Sequence, residues 1–141
     1  MTGKMLVAFD ASEESHKAFD LALEMASSCK SLAPEIFVLS VVQTPGGMSI
    51  ANIGNLVEEA TAEFKGQFKD LEAKAVANHV KIREEITVGH PAEKIVEVAK
   101  AKGCTMILMG HKGRSKIGGL LLGSVSRHVA SLAHCTVIIV R

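Results

Sequence analysis

The chain has 141 residues and a formal net charge of +1, so it carries no basic excess of the kind that attracts DNA or RNA. Trp and Tyr are absent and the five Phe are scattered, which leaves no aromatic platform for stacking bases. The three cysteines, Cys29, Cys104 and Cys135, form no CxxC pair, which argues against a disulfide framework or zinc site and fits a reducing cytoplasm.

The length predicts one domain over 1–141 with room for a substantial core. The first strand is expected at "KMLVAF" (4–9). Its apolar run ends at Asp10 and is too short for a signal peptide. No later stretch approaches the ~18 apolar residues of a membrane span, so a soluble, cytoplasmic protein is expected. A helix follows, with Ala18, Ala22, Met25, Ala26 and Cys29 on one stripe. The second strand is "EIFVLSVV" (35–42), and "QTPGGMSIANIG" (43–54) reads as a loop. A second helix, roughly 53–78, aligns Ile53, Leu56, Val57, Ala60, Phe64, Phe68, Leu71 and Ala75.

"VKIREEITV" (80–88) is the third strand, with Glu84 and Glu85 read as surface charge. The third helix starts at Pro91, a favoured first position, packs through Ala92, Ile95, Val96 and Ala99, and stops at Gly103. "CTMILM" (104–109) is the fourth strand. The fourth helix opens at Ser124 and presents Val125, Val129, Leu132 and Ala133, and "CTVIIV" (135–140) closes the chain. Strands that are apolar on successive positions suit a parallel sheet covered on both faces. The alternation predicts an α/β fold with five parallel strands and right-handed crossovers.

In such sheets ligands bind beyond the carboxyl ends of the strands, where strand order reverses. If the first and fourth strands are neighbours there, Asp10 and Gly110 face one crevice. The connection after the fourth strand, "GHKGRSKIGGLLLGS", is unusually rich in glycine and cations. Gly110 and Gly113 would let main-chain N–H groups approach a ligand, and Gly123-Ser124 would open a helix whose free amides and dipole favour an anion. The Ser124 hydroxyl could cap that helix or donate to phosphate. Lys112, Arg114 and Lys116 add positive potential, although such a trio also suits a plain solvated loop. A cradle for a polyphosphate accounts best for this composition. Walker A spacing fails, because Gly119 and Leu120 stand where Lys and Ser or Thr are needed after Gly118. Neither GxGxxG after the first strand nor GxSxG is present.

Gly110-x2-Gly113-x9-Gly123-Ser124 resembles the G-x2-G-x9-G-[ST] pattern of the ATP-binding universal stress proteins. "VAFDASEES" and "GHPAEKIVEVAK" are also similar to that family's first strand and turn and its third helix entrance. The resemblance covers nearly the whole chain. It implies a single open sheet in order 3-2-1-4-5, Rossmann-like, with helices on both faces. It implies that Asp10 contacts the nucleoside and that Val41 marks where main-chain groups meet adenine. Gly110, Gly113, Gly123 and Ser124 would bind ribose and phosphates, with Met109 and Val125 lining the pocket. Any Mg²⁺ would be held largely by phosphate and water, since no carboxylate cluster is evident.

Simpler roles stand beside these. Asp10-x-x-Glu13 fits a capping box, and Ser12 suits a turn or cap as well as a ligand. Val41 suits plain core, and His111 an exposed loop as well as a general base. The final strand would lie at a sheet edge without proline or charge, which favours a homodimer through Val137, Ile138, Ile139 and Val140. The function implied is an ATP-binding, nucleotide-dependent stress or signalling module. The alternatives are a slow ATPase or nucleotidyl-transfer enzyme using His111 or Asp10, and a dimeric scaffold or holdase indifferent to nucleotide.

Overall fold

Five parallel strands form the sheet in order β3-β2-β1-β4-β5. The structure is a computed structural model that describes residues 3–29, 34–43, 47, 49–112 and 122–141. Along the chain the elements are β1 (Lys4–Ala8), α1 (Glu13–Ser28), β2 (Glu35–Val42), α2 (Ile50–Ala77), β3 (Lys81–Val88), α3 (Pro91–Lys102), β4 (Met106–Gly110), α4 (Ser124–Leu132) and β5 (Thr136–Val140). Among the described residues no helix is long and apolar enough to cross a membrane.

Strand pleating sends successive side chains to opposite faces, so the apolar runs of β1, β2 and β4 feed two cores at once. Met5, Val7, Ile36, Val38 and Leu108 pack with α1 and α2. Leu6, Leu39, Ile107 and Met109 pack with α3 and α4. Helix α1 buries Ala18, Phe19, Ala22, Leu23 and Ala26. Cys29, placed on that stripe by periodicity, is instead its exposed C-cap. Gly103 ends α3 in the left-handed conformation at φ 71°, as a C-terminal glycine allows.

The expected loop over 43–54 is shorter than its composition suggests. Ser49 accepts a hydrogen bond at Oγ from Asn52 N at 3.3 Å, which caps α2 and makes 50–54 helical, Gly54 included. The core stripe of α2 is fully buried only from Ala60 onward, while Ile50 is 89% exposed. Leu132, expected on the packed face of α4, is also exposed, because the helix ends there.

Glu84 departs from its reading as surface charge. It shares the inward face of β3 with Ile82 and Ile86 and meets the Glu72 carboxyl on α2. Burial first, then the hydrogen bond and charge of Glu72, raise its pKa from 4.5 to about 7. Glu85 does face solvent, where Lys102 Nζ stands 4.0 Å away.

Candidate functional site

Winding reverses between β1 and β4. From β1 the chain moves through β2 to β3 with α1 and α2 on one face, and from β4 it moves to β5 with α4 on the other. The carboxyl ends of these neighbouring strands therefore diverge into a crevice, the switch point of an open α/β sheet. It holds about 300 Å³, the lower end of the roughly 300–1,000 Å³ usual for ligand sites.

The β1 side is built by a short turn. Asp10 follows the strand, and its Oδ1 accepts from Ser12 N at 2.9 Å. Ala11 between them is held at φ 66°, a left-handed conformation unusual for a residue with a Cβ. Ser12, not Asp10, caps α1. Its Oγ accepts from Ser15 N at 3.2 Å, and its carbonyl accepts from Ser15 Oγ at 2.9 Å. The capping-box reading of Asp10 is thus corrected, because Asp10 lies two residues before the N-cap. Its carboxylate organises the turn, and both Asp10 and Ser12 line the crevice.

An apolar wall stands opposite. Val41, near the end of β2, joins Leu39, Met109 and Ile95. Ile95 and Pro91 bring the start of α3 into the site. Sequence reading used both residues only for helix placement. Pro91 at a helix start was a usable signal, since α/β ligand sites collect helix entrances.

The β4–α4 side brings Gly110, Gly123, Ser124 and Val125 together. Gly113 lies outside the described residues. Ser124 is the first helical residue and does not cap α4, whose N-cap is Gly123 with no side-chain cap bond. Ser126 instead donates from Oγ to the carbonyls of Gly123 and His111, both at 3.0 Å. The His111 carbonyl also accepts from Gly123 N at 2.6 Å. That amide is therefore used by the protein itself. The amides of Ser124, Val125 and Ser126, at the first three helical positions, have no partner within the helix. They and the helix dipole make this end attractive to an anion.

The two glycines also meet close neighbours within the protein. A Cβ at Gly110 would stand 2.6 Å from Glu14 Cβ, so that glycine admits α1 against the end of β4. A Cβ at Gly123 would meet the His111 carbonyl at 3.2 Å and Lys112 Cα at 3.4 Å, so that glycine admits the chain leaving β4. Both close approaches are within the protein. His111 contributes its backbone here, and its ring, with Nδ1 buried, is not part of the crevice wall.

The chain matches the Universal stress protein family over residues 1–141. It belongs to that family. Among family members, universal stress protein YxiE of Bacillus subtilis is 34% identical, with all of both chains covered. The solved structure of MJ0577, a universal stress protein of Methanocaldococcus jannaschii, is 29% identical and superposes with a TM-score of 0.83, covering 99% of this chain and 96% of that one. A family protein from Arabidopsis thaliana, solved with AMP bound, shares the fold at 20% identity and a TM-score of 0.70, covering 99% of this chain and 91% of that one. The strand order implied by the resemblance, 3-2-1-4-5, is the order observed.

Proposed function

We propose that this universal stress protein binds an adenine nucleotide, ATP, in the crevice between β1 and β4 and acts as a nucleotide-dependent homodimer. One observation carries the reading: a pocket with an apolar wall is lined both by a carboxylate, Asp10, and by the start of α4, whose N-terminus has no side-chain cap. The wall of Leu39, Val41, Ile95 and Met109 suits a base, Asp10 suits ribose hydroxyls, and the amides of Ser124 to Ser126 suit phosphate. In this reading Gly110 and Gly123 shape the cradle by letting its walls close, and Gly113 belongs to the connection between them. The AMP bound by the Arabidopsis thaliana protein is in keeping with a nucleotide site on this fold. Asp10 is the only carboxylate lining the crevice among the described residues, so Mg²⁺ accompanying ATP would be coordinated by phosphate and water.

The dimer is proposed through β5, an outer strand of the sheet. His111 N donates to Val140 O at 2.8 Å, so Val140 and, by strand parity, Ile138 turn their backbone groups toward β4. Val137 and Ile139 then face the open edge and are free to pair with a second copy. A monomer in sedimentation at micromolar concentration removes this part of the proposal.

Thermal shift over ATP, ADP, AMP and cyclic AMP tests the nucleotide. At ~100 times its dissociation constant a ligand stabilises the fold by ~2.7 kcal/mol, a shift of several degrees. No shift and no calorimetric heat with any of the four overturns the reading.

A further inference from the structure

The anion-binding end of the crevice carries a charge that the glycine pattern does not explain. Lys112 lines the wall beside Gly123 and Ser124, and among the described residues it is the only cationic residue there. Its backbone is anchored through the residue before it. Preceding it, His111 donates its amide to Val140 O at 2.8 Å, and the His111 carbonyl receives Gly123 N at 2.6 Å and Ser126 Oγ at 3.0 Å. The Lys112 Cα would lie 3.4 Å from a Cβ placed on Gly123, so the root of this side chain is packed against the first turn of α4. Asp10 lines the same crevice from the β1 side. A carboxylate following β1 and a cation following β4 give the site a polarity: an anionic tail is repelled from the β1 side and drawn to the β4 side.

We infer that Lys112 is the residue through which this site grades ligands by anionic charge, favouring nucleoside triphosphates over monophosphates and cyclic nucleotides. The inference rests on the nucleotide reading above and deepens it. Backbone amides at a helix N-terminus are neutral donors confined to one turn, and they satisfy a single phosphate group well. Further phosphates extend past that turn with additional negative charge. A lysine anchored at the turn supplies a mobile point charge with several donors, which can follow the tail wherever it leads. A cyclic phosphate has one charge and no tail, so it gains least.

Calorimetric titration of AMP, cyclic AMP, ADP and ATP at fixed salt tests this on the wild type, Lys112→Gln and Lys112→Arg. In the wild type the affinity should climb from AMP to ATP. Lys112→Gln should lose roughly tenfold or more for ATP and less than about twofold for AMP, as expected for one charge-assisted contact. Lys112→Arg should restore the climb. An unchanged ratio of ATP to AMP affinity in Lys112→Gln overturns the assignment while leaving the nucleotide site standing. An equal loss for every nucleotide also overturns it, by making Lys112 a residue that shapes the loop. A wild type silent to all four ligands removes the nucleotide reading itself and this inference with it.

Discussion

Gly110, the last residue of β4, lies directly beneath Glu14 of α1: a Cβ on the glycine would stand 2.6 Å from Glu14 Cβ and 3.1 Å from its carbonyl carbon. Real Cβ atoms do not sit that close, and Glu14 backbone cannot swing aside as a side-chain tip can. Gly110→Ala should therefore lift the start of α1, disturb the Asp10–Ser12 turn and cost about 1–3 kcal/mol, as overpacking does. Urea denaturation checks the stability. Wild-type stability in this variant would mean that α1 tolerates displacement.

Gly123 has φ −68°, so a substitution there meets space and not backbone strain. The limit is the His111 carbonyl at 3.2 Å from a would-be Cβ. Gly123→Val should push the 111–112 segment off α4, breaking the short bond from Gly123 N. ATP affinity should fall by roughly tenfold or more, the scale of one lost contact to a charged group, while sedimentation still reports the dimer. Unaltered ATP binding in calorimetry would contradict the placement of the anion site.

Ala11 carries strain that a glycine would relieve. Its φ of 66° costs an L-residue roughly 1–2 kcal/mol. Glycine returns about 0.4–1 kcal/mol of that to the freedom of the unfolded chain. Ala11→Gly should therefore leave stability unchanged or raise it by up to about 1.5 kcal/mol, whereas Ala11→Val should lower it. Thermal melts of the pair decide this, and a destabilised Ala11→Gly would show that the methyl group makes a contact worth more than the strain.

Glu84 and Glu72 give the fold a pH dependence of definite sign. Burial, reinforced by Glu72, lifts the Glu84 pKa from 4.5 to about 7, so the folded chain keeps a proton that the unfolded chain releases. The stabilisation is complete below about pH 4.5 and is lost progressively as pH rises toward 7. Glu84→Gln, which holds a neutral group at the same place, should flatten this slope in denaturation curves between those limits. An identical slope in the variant would assign the effect elsewhere.

Much of the architecture was legible in the chain itself. Continuous apolar runs at "MLVAF" and "MILM" reflect strands buried on two faces, and Pro91 and Gly103 bracket α3 by backbone chemistry alone. The candidate site was legible in part. Eight of the nine residues read as nucleotide ligands, from Asp10 to Val125, line the crevice, and the ninth, Gly113, lies outside the described residues. Less legible were the helix starts that depend on which hydroxyl turns inward. Ser12 caps α1 where Asp10 fitted a capping box, Ser49 begins α2 inside an apparent loop, and Ser126 ties down a carbonyl that no local pattern marks.

By itself, the sequence determined the alternation of strands and helices, the parallel sheet with its two buried faces, and the concentration of glycine after β4. These follow from periodicity and backbone preference, which act over a few residues. Only the tertiary structure decided what the glycines admit, which amides stay open and which charge stands beside them. Gly110 is dictated by Glu14, nearly a hundred positions away along the chain, and Gly123 by His111. Glu84 became a proton-holding group only because α2 brings Glu72 over it. Such relationships are set by close packing between distant segments, and close packing has no signature until the segments meet.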